Sequence, residues 1–246
     1  MKLSSANINV MVKACRKASK ILIRDFGEIE NLQVSLKGPG NFVTASDIKV
    51  EKILIQELQK ARPTYSILSE EAGQINNDAS FKWIVDPIDG TSNFLHGIPH
   101  FAISIGLLSN NEIKSGLIFD PIKNEIFYAE KNNGAFFNNE RIRVSKKNEL
   151  SECLFAIGGK KYNSINQIST RKSGCAALDL AYVASGRYDG YCQSNLNLWD
   201  IAAGIIIVQE AGGIINDINL NNHKNLNVVA SSPNINDKFI KKISNF

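Results

Sequence analysis

The chain has 246 residues, 43% of them hydrophobic, and a formal charge of +4, which excludes a disordered polyelectrolyte and allows one large core or two closely packed halves. Its basic pairs, Lys146 with Lys147, Lys160 with Lys161 and Lys241 with Lys242, are scattered, which argues against nucleic-acid binding as the main role. Cys15, Cys153, Cys175 and Cys192 lack C-x-x-C spacing and read as reduced thiols of a cytoplasmic protein. The longest uncharged apolar run, Ile201 to Val208, is too short to span a bilayer, and Lys13, Arg16 and Lys17 stand where a signal peptide needs its apolar stretch.

In chain order, Ile8, Met11, Val12, Cys15, Leu22 and Phe26 fall at helical spacing and predict an amphipathic helix that stops at Gly27. A loop with Gly38, Pro39 and Gly40 leads to NFVTASD. Val50, Ile53, Leu54, Leu58 and Ala61 then mark a second helix, which Pro63 ends. Asp47 lies near that helix's N-terminus, where an acid can simply stabilise the helix dipole or cap it. Tyr65 to Ser69 predicts a strand with Glu70 and Glu71 at its carboxyl end. Neighbours in extended chain face opposite ways, so at most one of the two glutamates shares a site with Asp86. After the polar loop Asn76 to Ser80 comes WIVDPIDGTSNF, residues 83–94. An apolar strand ends in Asp86 before Pro87, Asp89 comes two residues later, Gly90 frees the backbone, and Thr91 and Ser92 are hydroxyl residues of the kind that cap a helix. Acids, a turn and a helix start within seven residues suit a hard cation and a phosphate.

From Phe101 onward, segments 101–108, 113–119, 125–130 and 134–137 are short, rich in β-branched and aromatic residues, and separated by Asn, Gly or Pro, which predicts an antiparallel meander. Further on we expect a strand at 153–157, a helix at 176–185, a strand at 188–192 and an apolar helix from Trp199 to Ala211. Gly212 and Gly213 close that helix, strands at 213–217 and 226–230 come next, and a basic helix ends the chain. The pattern predicts an α/β (α+β) layered sandwich of alternating helix layers and mixed or antiparallel sheets. We treat 1–246 as one domain with a metal-site half, 1–145, and a substrate-site half, 146–246.

NFVTASD, the glutamate pair, WIVDPIDGTSNFLHGIPHFAISIGL, SGCAALDLAYVASGRYDGY and LWDIAAGIIIVQEAGG occur in an order and at separations that resemble the inositol monophosphatase family, a Mg²⁺-dependent, typically Li⁺-sensitive, sugar-phosphatase-like group. The resemblance spans nearly the whole chain. It implies that Glu70, Asp86 and the Ile88 carbonyl bind one Mg²⁺ and that Asp86, Asp89 and Asp200 bind a second, with a third, weaker site on Glu70. Thr91 would stand beside the attacking water, and Asp47 with Thr44 would support its activation. Gly90, Thr91 and Ser92 would cradle the phosphate, while Gly174, Cys175, Ala176, Gln193 and Asp200 would meet the rest of the substrate. No covalent intermediate is required, because two divalent ions roughly 3.5–4 Å apart can stabilise an in-line displacement by water. Asp200 is also readable as an ordinary acid at a helix start. Cys175 has no evident partner to lower its pKa and reads as a packing position, and His96, His100 and His223 have no spacing that suggests a metal or a nucleophile–base pair.

Two positions depart from the family pattern. Asn41 stands where an Asp often precedes the VT motif, and Gln193 stands where inositol-specific members commonly have Glu. The expected activity is hydrolysis of inositol 1-phosphate or a similar small polyol phosphate. The same-fold alternatives are fructose 1,6-bisphosphate, a nucleotide 3′-phosphate or histidinol phosphate, and the non-catalytic alternative is an interaction protein of ribosomal-RNA transcription and processing that contacts a transcription factor. The family also implies a homodimer, for which the apolar strands between Ile113 and Phe137 are the candidate surface; the short apolar runs predict no membrane association.

Overall fold

Ile8, Met11, Cys15 and Leu22 are buried along one side of α1 (Ala6–Gly27), which Ser5 opens by accepting the Ile8 N–H on its hydroxyl. The computed structural model describes residues 5–29, 34–36, 42–76, 79–159 and 168–244, without the side chains of the two short strands before residue 45 or of Ser244. Asn41, the Gly38–Gly40 loop, residues 77–78 and Lys160 with Lys161 lie outside that set, as does the side chain of Thr44. Packed against α1 is α2 (Ala45–Ala61), whose first turn holds Asp47.

Among the described residues, β1 (Val34–Leu36) and β2 (Phe42–Thr44) pair with each other. Next in the chain is a sheet of eight strands: β3 (Ser66–Ser69), β4 (Gly73–Ile75), β5 (Phe81–Asp89), β6 (Ala102–Ser109), β7 (Glu112–Asp120), β8 (Glu125–Glu130), β9 (Gly134–Phe137) and β10 (Glu140–Arg141). Its order is β10-β9-β8-β7-β6-β5-β3-β4, antiparallel except where β3 runs parallel to β5. The short helix α3 (Thr91–Leu95) links β5 to β6. The second sheet, of five strands, contains β11 (Leu154–Gly158), β12 (Ser169–Arg171), β13 (Gly190–Leu196), β14 (Ile214–Ile215) and β15 (Leu226–Ser231), in the order β12-β11-β13-β15-β14. The remaining helices are α4 (Ala176–Ala184), α5 (Leu198–Glu210) and α6 (Asn236–Ser244).

The period of two along each strand builds the layers. Ile67, Trp83, Val85 and Ile105 face α1 and α2, whereas Leu68, Ile84, Ala102 and Ile118 face α4 and α5. On the second sheet Tyr191 faces α4 and α5, while Cys192 faces α6 with Phe155 and Phe239. The result is five alternating layers, helix–sheet–helix–sheet–helix. All four cysteines are buried free thiols.

Several expectations are corrected. The strand does not stop at Asp86 but runs to Asp89, and its pairing with β6 shifts register between those two acids, the kind of irregularity at which a proline without an N–H is tolerated. Neither Thr91 nor Ser92 caps α3. Gly90 is the N-cap, at φ 92°, and Thr91 donates its hydroxyl to the Ile88 carbonyl at 2.8 Å. The strand expected at 188–192 is Gly190–Leu196, and only Gly212 of the two closing glycines is left-handed. Of the apolar residues offered as a dimer surface, Ile113, Leu117, Phe127 and Ala135 are buried in the chain's own core, whereas Tyr128, Phe136 and Phe137 are half-buried.

The approach of α5 to the large sheet is set by glycine. Gly106 and Gly116 face each other across β6 and β7, and a Cβ on Gly116 would come within 2.7 Å of Ala203 backbone atoms and of Ile206. At Gly106 the nearest atom would be the Ala202 Cβ at 2.9 Å. Because Asp200 lies in the first turn of α5, these contacts fix how near that acid comes to the end of β5. Gly116→Ala should therefore destabilise the protein by about 1–3 kcal/mol, the usual cost of overpacking. A denaturant midpoint equal to wild type at unchanged slope would contradict this account of the helix–sheet contact.

Candidate active site

One cavity, of ≈ 210 Å³, opens at the carboxyl ends of β3 and β5 and the start of α5. It is lined by Glu70, Asp86, Ile88, Asp89, Gly90, Thr91, Gly174, Ala176, Gln193, Leu196, Asn197 and Asp200. Ten of the positions singled out in the sequence thus share one wall. Cys175 lies buried behind it and Ser92 is exposed beside it. Asp47, 2% exposed, raises the pKa of Asp86 by its charge, and so stands close behind the cluster. Of the glutamate pair only Glu70 lines the cavity, and none of the histidines does.

Backbone amides direct the acids. Asp86 accepts the Ile88 N–H at 3.0 Å, which the irregularity of β5 at Pro87 makes possible, and Asp200 accepts the Asn197 N–H at 2.8 Å, as an acid in a helix's first turn can. Asp89 reaches across to α4, where its Oδ2 accepts the Ala177 N–H at 2.5 Å and the Cys175 thiol at 3.0 Å. A strand carboxylate thus caps a helix more than eighty residues later in the chain. In each aspartate one oxygen is committed, which orients the group and leaves acceptor capacity free toward the cavity.

Burial dominates the electrostatics. It pushes Asp86 well above the usual carboxylate range, helped by the charges of Glu70, Asp89, Asp200 and Asp47. Asp89 is raised to about 6 by burial, against the lowering effect of its Cys175, Ala177 and Gly90 donors, and Asp200 to about 7 by burial and by Asp89. The Cys175 thiol is pushed up too, by burial and by Asp89, so it is a donor to that acid and no nucleophile. No basic residue is found among the described residues lining the cavity.

Sequence reasoning missed four supporting groups. Asn93 donates to the carbonyls of His100 and Ser173 and so ties α3 to the 173–176 loop. Asp179, buried, accepts the Ser173 hydroxyl at 2.6 Å and is raised to about 8 by burial. Tyr191 donates its hydroxyl to Gln193 Oε1 at 2.9 Å, and Glu51 grips the turn that holds Glu70. The one available signal was an acid at Glu51, four residues after Asp47, on the otherwise apolar side of α2.

The profile described as "Inositol monophosphatase family" matches residues 5–245. An inositol-1-monophosphatase of Rhizobium meliloti (strain 1021) is 48% identical over 224 residues, which cover 85% of this chain and 84% of that protein. The chain belongs to the inositol monophosphatase family. A crystal structure of the extragenic suppressor protein suhB from Bartonella henselae matches with a TM-score of 0.92 at 46% identity, covering 97% of this chain and 98% of that one. The Nus factor SuhB of Xylella fastidiosa (strain Temecula1 / ATCC 700964) is 38% identical over 224 residues, 85% of this chain and 81% of that protein. Membership puts the chain among the phosphoric monoester hydrolases, a family that is generally metal-dependent.

The residues present fit such an ion. The donors are hard carboxylate and carbonyl oxygens, the kind Mg²⁺ prefers, and their mutual repulsion is what a divalent cation would relieve. Among the described residues no three His, Cys, Asp or Glu side chains already stand in a metal-binding array. Among the same residues, no helix is long and apolar enough to cross a membrane.

Acids that hold protons in the fold make stability depend on pH. With Asp89 at about 6, Asp200 at about 7 and Asp179 at about 8, against about 3.9 for an unfolded Asp, the folded chain binds more protons than the unfolded one between these values. Their contribution is complete below about pH 4 and is lost as pH rises through about 6 to 8. Metal-free protein in chelator should therefore melt higher at about pH 5.5 than at about pH 8, by roughly 5 °C or more, and millimolar Mg²⁺ should recover the loss at the higher pH. A metal-free Tm that is flat or rising over that range contradicts the acid cluster as described.

Proposed function

We propose that this chain is a Mg²⁺-dependent phosphomonoesterase that hydrolyses inositol 1-phosphate or a similar small polyol phosphate, as a cytoplasmic homodimer. The observation that carries this reading is the single cavity in which Glu70, Asp86, Asp89 and Asp200 meet Thr91 and the 174–176 loop. Glu70, Asp86 and the Ile88 carbonyl would hold one ion, Asp86, Asp89 and Asp200 a second, and Glu70 a third, weaker one. Bound Mg²⁺ would neutralise the phosphoryl oxygens and the leaving alkoxide and would acidify a water.

The chain's own groups do the rest. Thr91 commits its hydroxyl proton to the Ile88 carbonyl, so its lone pairs are left to accept from the attacking water, with Glu70 as the adjacent acid to take up the proton. Asp47 would support that step from behind the cluster, and the family resemblance gives Thr44 the same role. Backbone N–H groups of Thr91 and Ser92 would hold the phosphate at the helix start that Gly90 opens, the N–H of Gly90 itself being given to Asp89. Gly90 suits this place because a Cβ there would meet the His100 carbonyl at 3.0 Å and Cys175 at 3.3 Å. Gly174, Cys175, Ala176 and Asp200 would orient the alcohol portion.

Gln193 bears on the choice of alcohol. With its oxygen accepting from Tyr191, Gln193, which lines the cavity, has amide N–H donors left to offer, where a carboxylate would offer polyol hydroxyls acceptors. Discrimination among polyols should be correspondingly weak. A second reading, interaction with the transcription machinery, is favoured by the likeness to proteins named Nus factor SuhB. It is compatible with catalysis.

One panel tests these points: inositol 1-phosphate, glycerol 2-phosphate, fructose 1,6-bisphosphate, a nucleotide 3′-phosphate and histidinol phosphate, with and without Mg²⁺ and Li⁺. Wild type should turn over inositol 1-phosphate and at least one simpler monoester, only with Mg²⁺, and Li⁺ should inhibit. Asp86→Asn should lower kcat/KM on the order of 10³-fold, the several kcal/mol that metal charge supplies. Gln193→Glu should lower KM for inositol 1-phosphate roughly tenfold, the worth of one charge-assisted hydrogen bond. Near-normal turnover by Asp86→Asn refutes the site, and no turnover of any monoester brings the interaction reading to the front.

A further inference from the structure

We infer that Glu51 is a positioning residue that fixes Glu70 for cation binding. It sits one helical turn beyond Asp47 on the same side of α2 and is 5% exposed. Three donors converge on its Oε1: the Ser69 hydroxyl, the Glu71 N–H at 3.0 Å and the Ala72 N–H at 3.0 Å. These donors flank Glu70 on both sides. Glu70's own N–H donates to the Val85 carbonyl of β5 at 3.3 Å, so the turn is tied both to α2 and to the strand that delivers Asp86.

Placing another buried carboxylate beside an acidic cavity is electrostatically costly, which requires an offsetting role. Two successive amides pointing at one spot form a concave anion site, and a carboxylate there makes charge-assisted bonds about twice as strong as neutral ones. Without that anchor, the short turn after β3 would be held only by its strand pairing and could move, and Glu70 with it. Anchored, the backbone that carries Glu70 is held in place. The inference rests on reading Glu70 as a ligand of a divalent ion.

The test is calorimetric titration of metal-free protein with Mn²⁺, alongside melting curves and the KM for a monoester at saturating Mg²⁺. Glu51→Ala should weaken cation affinity about tenfold or more, as loss of a group that orients a ligand does, while KM shifts less than about threefold. Glu51→Gln, which retains an acceptor oxygen for all three donors, should restore most of the affinity. A residue with a structural role alone would lower Tm and leave the cation affinity of the folded protein unchanged. Should Glu51→Ala fail to fold, Glu51→Asp, which keeps the charge but falls one methylene short of the turn, should show the same weakening. Unchanged Mn²⁺ affinity in either folded variant overturns the inference. Asp86→Asn separates the two levels: if it too binds Mn²⁺ normally, the cation site itself is misassigned, whereas if it alone loses binding, only the role of Glu51 falls.

Discussion

Mutual repulsion of carboxylates gathered around one cavity, Asp86 buried and Glu70, Asp89 and Asp200 half-buried, is the constraint on which the other features of this molecule depend. Glu70, Asp86, Asp89 and Asp200 line one small cavity, and no basic residue is found among the described residues that share its wall. In a low-dielectric site such a set cannot ionise fully without a counter-charge, which is why Asp86, Asp89 and Asp200 all hold protons more tightly than an ordinary aspartate. The fold opposes that repulsion with directed hydrogen bonds: amides of Ile88, Ala177 and Asn197 each hold one aspartate.

Assembly of the cluster depends on packing far from any acid. Asp86 and Asp89 come from one strand, but Asp200 arrives on α5, and α5 lies flat on the large sheet only because Gly106 and Gly116 present no side chains to Ala202 and Ala203. Asp89 in turn caps α4, so the second half of the chain is docked to the first through a residue that also faces the cavity. Stability and the site are coupled through the same carboxylates. An acid-to-amide change here alters both, in opposite senses: it relieves repulsion while removing a candidate cation ligand.

Where local rules are strong, the sequence made the architecture legible. The helices at 6–27 and 45–61 and the meander from 102 to 137 follow from periodicity and from the turn residues between strands. What escaped were effects of tertiary origin. Extension of β5 through Pro87 depends on pairing with β6, and capping of α3 by Gly90 depends on a left-handed backbone that Thr91 and Ser92 do not need. The apolar residues of the meander read equally as core or interface, because periodicity shows which face is buried and not against what. At the site, resemblance marked the cavity-lining acids, whereas Glu51, Asn93, Asp179 and Tyr191 act on residues 18 to 80 positions away or hold a neighbour in place, with no local pattern to reveal them.

The central claim is that these acids are protonated in waiting for divalent cations. Proton release on metal binding measures that directly, since ions displace protons from the ligands they take. Titrating weakly buffered metal-free protein with Mg²⁺ at about pH 6.5 should release about one to two protons per chain, and fewer at about pH 8.5, where Asp89 and Asp200 have already ionised. Saturable binding with no proton release at either pH, or no binding at all, would contradict the account.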